Sequence, residues 1–163
     1  MGLPSKADQG VRLKMNCFLM ALKPQFAEEI LNGYKDCEVR TYLGAINEGD
    51  VILVYSSKPV MAVTGYFIAG HTVVVKPNEL INNLRTLCRK IPRDNEEFIQ
   101  SNYLKSSRRI LILKITKPKL FQDKISIGQL RKMSIAIPRS YARINVQTCK
   151  EIISMGKVLN HHL

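Results

Sequence analysis

Positions 17–22 are continuously apolar, a length and pattern that suit a strand buried on both faces. The next segment changes period. Phe26 with Ile30 and Ala27 with Leu31 stand four apart, Pro24 occupies a first helical position, and Gly33 follows the last apolar residue, so residues 24–32 read as a short helix. Residues 37–43 then alternate, with Cys37, Val39, Thr41 and Leu43 on one face and Glu38, Arg40 and Tyr42 on the other. Asn47-Glu48-Gly49-Asp50 is a turn signal that delivers the chain into a third strand at residues 51–57. The β-branched stretch at residues 60–75 is too long for one straight strand, and Gly65 and Gly70 mark expected bends.

Helical spacing returns at Leu80, Ile81, Leu84, Leu87 and Cys88, with Asn78 as the expected cap. A second helix is expected after Asp94, whose spacing to Glu97 resembles a capping box. Residues 110–116 read as a strand, Ser126 with Gln129 as the cap of a helical turn, and Asn145 as the start of a last helix ending at Gly156. Strands in direct succession, interleaved with four or five short helices, predict an α+β domain: a small mixed β-barrel of about five strands, curved or closed. Residues 1–14 show no periodicity and read as a flexible N-terminal arm, leaving residues 15–163 as one domain. At 163 residues with 45% hydrophobic content, that domain can bury roughly 68–70% of its unfolded surface and requires neither disulfides nor metal.

Charge adds a partner class. The chain carries 25 Lys+Arg against 13 Asp+Glu, a net charge of +12. Residues 1–82 hold 8 of each sign; residues 83–163 hold 17 basic and 5 acidic residues, so the whole excess lies in the second half. Such asymmetry predicts one basic surface suited to polyanions. No apolar run approaches 18 residues, and the N-terminus lacks an apolar signal core, which predicts no membrane association and a cytoplasmic protein. Cys17, Cys37, Cys88 and Cys149 form no C-x-x-C pair and lie in apolar segments, so they are expected to be reduced core thiols. No metal site and no cofactor are expected.

The run Lys23-Pro24-Gln25-Phe26, followed by Ile30-Leu31-Asn32-Gly33-Tyr34-Lys35 and then Glu38-Val39-Arg40, resembles the opening pattern of the ASCH domain, a branch of the PUA-like superfamily. Gly49-Asp50, Tyr55-Ser56 and the segment Pro138-Arg139-Ser140-Tyr141 are similar to later family features. The likeness spans roughly residues 16–145, with residues 77–107 as an unmatched helical insertion. It implies a small PUA-like barrel whose cleft is lined by the helix start, the Glu-x-Arg strand and the following loops. It also implies RNA binding. Some small bacterial members hydrolyse the amide of an acetylated cytidine with a lysine, a threonine and a downstream glutamate; Lys35 matches the lysine, and Glu38 stands where the threonine would. Others cleave RNA.

The residues themselves support an anion or nucleotide cleft. Lys23 occupies an N-cap position without being a capping residue type, so it either complements an anion held by free helix N–H groups or snorkels at a strand end. Glu38 and Arg40 share a strand face. They form either a surface ion pair worth about 0–1 kcal/mol, or a carboxylate and guanidinium presented to a base and a phosphate. Tyr42, Tyr55 and Tyr141 offer either stacking faces or half-buried barrel residues. Arg139 and Arg143 flank Ser140-Tyr141, the interleaving of basic and aromatic residues that single-strand binders use. Ser56, Lys58, Arg85, Arg89, Arg93, Arg108 and Arg109 complete the expected nucleic-acid contacts. His71 is expected to pack within its strand, and His161 and His162 carry no assigned role.

Three functional readings follow. The leading one is an RNA-binding module that holds a nucleotide or modified base in its cleft while basic residues grip phosphates. The second is a hydrolase acting on an acylated nucleoside, or a ribonuclease, in which Lys35 polarises and Glu38 acts as general acid or base. The third is a protein whose basic face meets an acidic protein partner.

Overall fold

The computed structural model describes residues 15–159. The expected arm at residues 1–14, together with His161 and His162, lies outside them, as do the side chains of Arg93 and Asp94. In chain order the elements are β1 (Cys17–Leu22), α1 (Pro24–Leu31), β2 (Cys37–Thr41), β3 (Val51–Ser56) and β4 (Ala62–Val75). A 3-10 turn (Pro77–Glu79), α2 (Leu80–Leu87) and α3 (Arg93–Tyr103) come next. They are followed by β5 (Ile110–Ser126), α4 (Ile127–Lys132), β6 (Tyr141–Ile144) and α5 (Val146–Gly156).

The six strands form one mixed sheet in the order β2-β5-β4-β3-β1-β6, curled into a half-barrel. β1 and β3 pair in parallel between β4 and β6 and are almost wholly buried, as a strand covered on both faces must be. Their side chains alternate between two cores. Phe18, Met20, Ile52 and Val54 pack with Ala27, Ile30 and Leu31 of α1. Cys17, Leu19, Leu53 and Tyr55 pack with Leu130 of α4 and with Cys149 and Ile152 of α5. A third cluster seats α2 and α3 on the sheet, where Leu80, Leu84 and Ile99 meet Cys37, Val39, Ile110 and Ile112.

Local signals account for most boundaries. Pro24 opens α1 behind an uncapped Lys23, and Gly33 follows its end at φ 78°, a conformation that favours glycine. Ser126 with Gln129 forms the expected capping box, and Asn145 accepts the Thr148 N–H at 3.1 Å. The register of β4 against β5 shifts near Gly65 and again between Ala69 and Thr72, which bends the strand as its glycines suggest. A Cβ at Gly65 would meet the Lys119 carbonyl and the Leu31 side chain.

Six expectations are corrected. α3 begins at Arg93 behind Pro92, so it does not start after Asp94. Asn78 is not the helix cap: the turn at Pro77–Glu79 begins the helix, and the Glu79 carboxylate accepts the Lys76 N–H at 2.9 Å. The strand expected at residues 110–116 runs ten residues further, because the break that Pro118 suggests is absorbed as a register irregularity with Lys117 at φ 47°. Gly156 does not itself supply a left-handed helix end, since Lys157 takes the positive φ. His71 is exposed rather than packed. The cysteines are not reduced thiols: Cys17 bonds Cys149 and Cys37 bonds Cys88.

Gly156 is required for a different reason. A Cβ there would strike the ring of Phe121, which is 5% exposed and packed beside Tyr66. Gly156→Ala is expected to cost about 1–3 kcal/mol through overpacking. Urea unfolding measures this, and a variant as stable as the parent would show that the ring swings aside freely.

Candidate nucleotide cleft

The half-barrel leaves a gap between its two edge strands, β2 and β6. β6 pairs with β1 only from Cys17 to Met20, and just beyond it the Ala21 N–H donates to the Ser140 carbonyl at 2.8 Å. Arg40 spans this gap. Its terminal nitrogens donate to the Ala21 carbonyl on β1 and, at 3.3 Å, to Ser140 Oγ just ahead of β6.

A cleft of about 250 Å³ opens at this place. The sheet, α1 and the turn between α1 and β2 supply Leu22, Lys23, Phe26, Lys35, Glu38 and Arg40, while α3 supplies another wall through Asn95, Phe98, Ile99 and Tyr103. Arg139 stands at the rim.

At the base of the cleft lies a buried polar chain. Lys35 Nζ donates to Asn95 Oδ1 at 2.8 Å and stands 3.5 Å from Glu38 Oε1. Asn95 Nδ2 in turn donates to the Glu29 carboxylate at 2.9 and 3.1 Å, and Glu38 Oε1 also accepts the Val39 N–H at 2.9 Å. Lys35, Glu38 and Asn95 are 4%, 5% and 2% exposed, so the Lys35 and Glu38 charges depend on their neighbours rather than on water, while Glu29 is half-buried. Among the described residues, two buried side-chain atoms have no hydrogen-bond partner: Glu38 Oε2, an acceptor, and Arg40 Nε, a donor. Both belong to cleft-lining residues.

Aromatic rings cover this base. Phe26 and Phe98 meet edge to face with centroids 5.1 Å apart; Lys35 lies 4.9 Å from the Phe26 centroid and Lys23 the same distance from Phe98. The Tyr103 hydroxyl donates to the Val39 carbonyl, and burial holds its pKa above the usual tyrosine value, a shift that nearby Arg40 opposes.

The expected site residues divide accordingly. Lys23, Lys35, Glu38, Arg40 and Arg139 converge on the cleft, with Ser140 held beside it by Arg40. Ser56 is buried and does not line it; its neighbour Ser57 does. Tyr141 is no stacking platform, because its ring is buried edge-on against Phe18. Its hydroxyl donates to the Gly44 carbonyl and accepts the Leu43 N–H, tying the loop after β2 to β6. Burial also raises its pKa. Tyr55 is buried in the second core, and Tyr42 is half-buried beneath the Arg109 guanidinium at 4.9 Å. Arg143 lies with Phe18 and Tyr141 around a separate depression. Lys58 and Arg108 are exposed away from the cleft lining, and Arg85 and Arg89 line a groove on the helical segment between β4 and β5. Arg93 lies in α3.

Sequence reasoning missed the α3 wall, although the pattern Asn95, Phe98, Ile99 marks one helix face at spacings of three and four. The expected lining of helix start, Glu-x-Arg strand and following loops omits the four wall residues that come from α3. Among the described residues, the one group with metal-ligand types is Asp36, Cys37 and Cys88, and its sulfurs are bonded to each other.

The mixed six-strand half-barrel with its flanking short helices has the PUA-like fold. More particularly, the chain has the ASCH fold. No family model and no curated protein matches the sequence. Among solved structures, ASCH from Zymomonas mobilis is similar with a TM-score of 0.71 at 17% identity, covering 89% of this chain and 97% of that one. A serine-to-alanine mutant of the same protein gives 0.73 at 17% identity, covering 86% and 96%. The N-terminal domain of Staphylothermus marinus McrB gives 0.56 at 13% identity, covering 88% and 97%.

Proposed function

We propose that the cleft binds a single unpaired nucleotide of RNA. The observation that carries this reading is the pair of unpartnered buried atoms, Glu38 Oε2 and Arg40 Nε, on residues that line a pocket also lined by Lys23 and Arg139. A buried acceptor and donor without partners cost free energy unless a ligand completes them. A nucleobase edge offers the matching N–H and ring nitrogen or carbonyl. Phe98 and Tyr103 supply apolar ring surface of the kind on which unstacked bases rest. Lys23, at the uncapped start of α1, is placed to meet the phosphate with the free N–H groups of the first turn. A cleft of about 250 Å³ admits one nucleotide and excludes a duplex.

Single-stranded RNA is therefore expected to bind with log affinity falling against log salt by about 0.7 per phosphate neutralised. Arg40→Ala is expected to weaken binding at least tenfold, on the order of 1.5–3 kcal/mol for a charged hydrogen-bond donor. Fluorescence anisotropy across a salt series checks both. Equal affinity for duplex and single strand, or salt-independent binding, would overturn the reading.

The hydrolase reading keeps one observation in its favour, a lysine and a carboxylate paired and buried in the same cleft. Release of acetate from acetylated cytidine, abolished by Lys35→Ala, would establish it in place of simple binding. No helix among the described residues is long and apolar enough to cross a membrane. The paired cysteines remove the thiol argument for a cytoplasmic location.

A further inference from the structure

We propose that Cys88 is a thiol-exchange site at which a small anionic thiol opens the Cys37–Cys88 bond, and that this bond is a clasp on the cleft. The two disulfides differ in access. Cys17 and Cys149 are 0% and 2% exposed inside the second core, and Cys37 is 1% exposed. Cys88 is only half-buried and lines a groove of about 190 Å³ against α2 and α3. Thiol exchange needs in-line access to one sulfur, so Cys88 is the atom attacked and Cys37 the one that leaves.

The groove is built for an anion. Arg85 and Arg89 line it with Glu96, above an apolar floor that includes Ile81 and Ile91. The other nearby carboxylate, Asp36, is already engaged: it accepts the Arg89 and Lys90 amides at 2.9–3.2 Å and stands 3.5 Å from Lys114 Nζ. The arginine charges therefore exceed the free acidic charge facing the groove.

The chemistry balances with the thiol as sole reductant. A thiolate R–S⁻ forms a bond to Cys88 Sγ while the Cys37–Cys88 bond breaks. The electron pair departs on Cys37 Sγ, which takes up a proton. A second thiol then attacks the mixed disulfide and leaves as R–S–S–R, so both cysteines end reduced.

Cys37 directly precedes Glu38, and Cys88 closes α2 five residues before α3 begins. Opening the bond leaves the helical segment held by the third core cluster, by the Lys35–Asn95 and Tyr103–Val39 hydrogen bonds, by Asp36, and by Lys114, which donates to the Leu87 carbonyl at 2.9 Å. The α3 wall that carries Asn95 and Phe98 then loses its covalent link to the cleft strand. The consequence for ligand affinity, unlike the exchange itself, rests on the nucleotide reading above.

The test treats native protein with mercaptosuccinate or with neutral 2-mercaptoethanol, traps free thiols by alkylation, and maps the products by mass spectrometry. The expected products are a mixed disulfide on Cys88, alkylated Cys37 and an intact Cys17–Cys149 bond. Arg85→Gln with Arg89→Gln is expected to slow mercaptosuccinate roughly tenfold per thiolate while changing 2-mercaptoethanol less than about twofold. Adduct on Cys37, comparable opening of Cys17–Cys149, or equal effects of the arginine changes on both thiols would overturn the exchange site. RNA affinity is then compared between the parent and Cys37→Ser with Cys88→Ser. A severalfold loss in the open form supports the clasp, and unchanged affinity refutes it. An absence of RNA binding by either form refutes the nucleotide reading and with it the clasp, leaving the mapped exchange standing.

Discussion

Glu38→Leu is expected to destabilise the fold by about 3–5 kcal/mol, the usual cost of removing one partner from a buried ion pair. Lys35 has a side chain only 3% exposed, and without Glu38 its ammonium keeps only Asn95 as a hydrogen-bond partner. The Val39 N–H loses its acceptor as well. Cation–ring attraction to Phe26 offsets little of this, being worth about 0.5–2 kcal/mol and already present in the parent. Adding Lys35→Met should restore most of the loss, because the penalty resides in the stranded charge rather than in the missing pair. Denaturant unfolding of the two single variants and the double variant closes the cycle. A loss below about 1 kcal/mol for Glu38→Leu would mean that water entering the cleft solvates Lys35, and the buried relay would then be no more than a surface pair.

The second large effect concerns the sealed disulfide. Cys17 lies on the buried strand β1 and Cys149 on the last helix, 132 residues apart in sequence. In the chain-entropy account a loop of that length is worth about 5 kcal/mol, and native disulfides removed from small domains typically cost 2–5 kcal/mol. Cys17→Ala with Cys149→Ala is therefore expected to lower unfolding free energy by about 3–5 kcal/mol, with the sheet otherwise intact. Equilibrium unfolding, with circular dichroism to verify the native state, measures it. A variant within about 1 kcal/mol of the parent would show that packing of α5 against β1 and β3 already supplies the constraint.

Both predictions rest on features that periodicity only partly exposes. The alternation of Cys37, Val39 and Thr41 with Glu38 and Arg40 was legible because a strand has a period of two, whatever lies on either side. That Glu38 faces a buried lysine was not, since Lys35 lies outside the strand and is turned inward by Asn95, sixty residues away. Tyr141 shows the opposite failure. An aromatic between two arginines has the composition of a stacking site, yet its hydroxyl closes the barrel seam through Leu43 and Gly44. The cysteines failed for a related reason: separations of 132 and 51 residues carry no signal of proximity, and apolar flanks suit a buried disulfide as well as a buried thiol.

The net charge of +12 meets the same limit. Seventeen basic residues lie beyond position 82, yet Arg139 is the one of them that lines the cleft among the described residues. Arg85 and Arg89 face a different groove, and Arg109 covers Tyr42. A charge count measures attraction to anions without saying where an anion would rest.

By itself, then, the chain determined most of its elements, though not β6 or the later part of β5, together with most of its caps and the Lys-Pro to Glu-x-Arg frame of the cleft, because these depend on residues within a turn or a strand of one another. Only the tertiary structure decided which strands border the open seam, that α3 forms the second wall, which polar atoms remain unpaired and which sulfurs are joined. Those outcomes depend on contacts between distant parts of the chain, whose partners are selected by packing and burial rather than by local pattern.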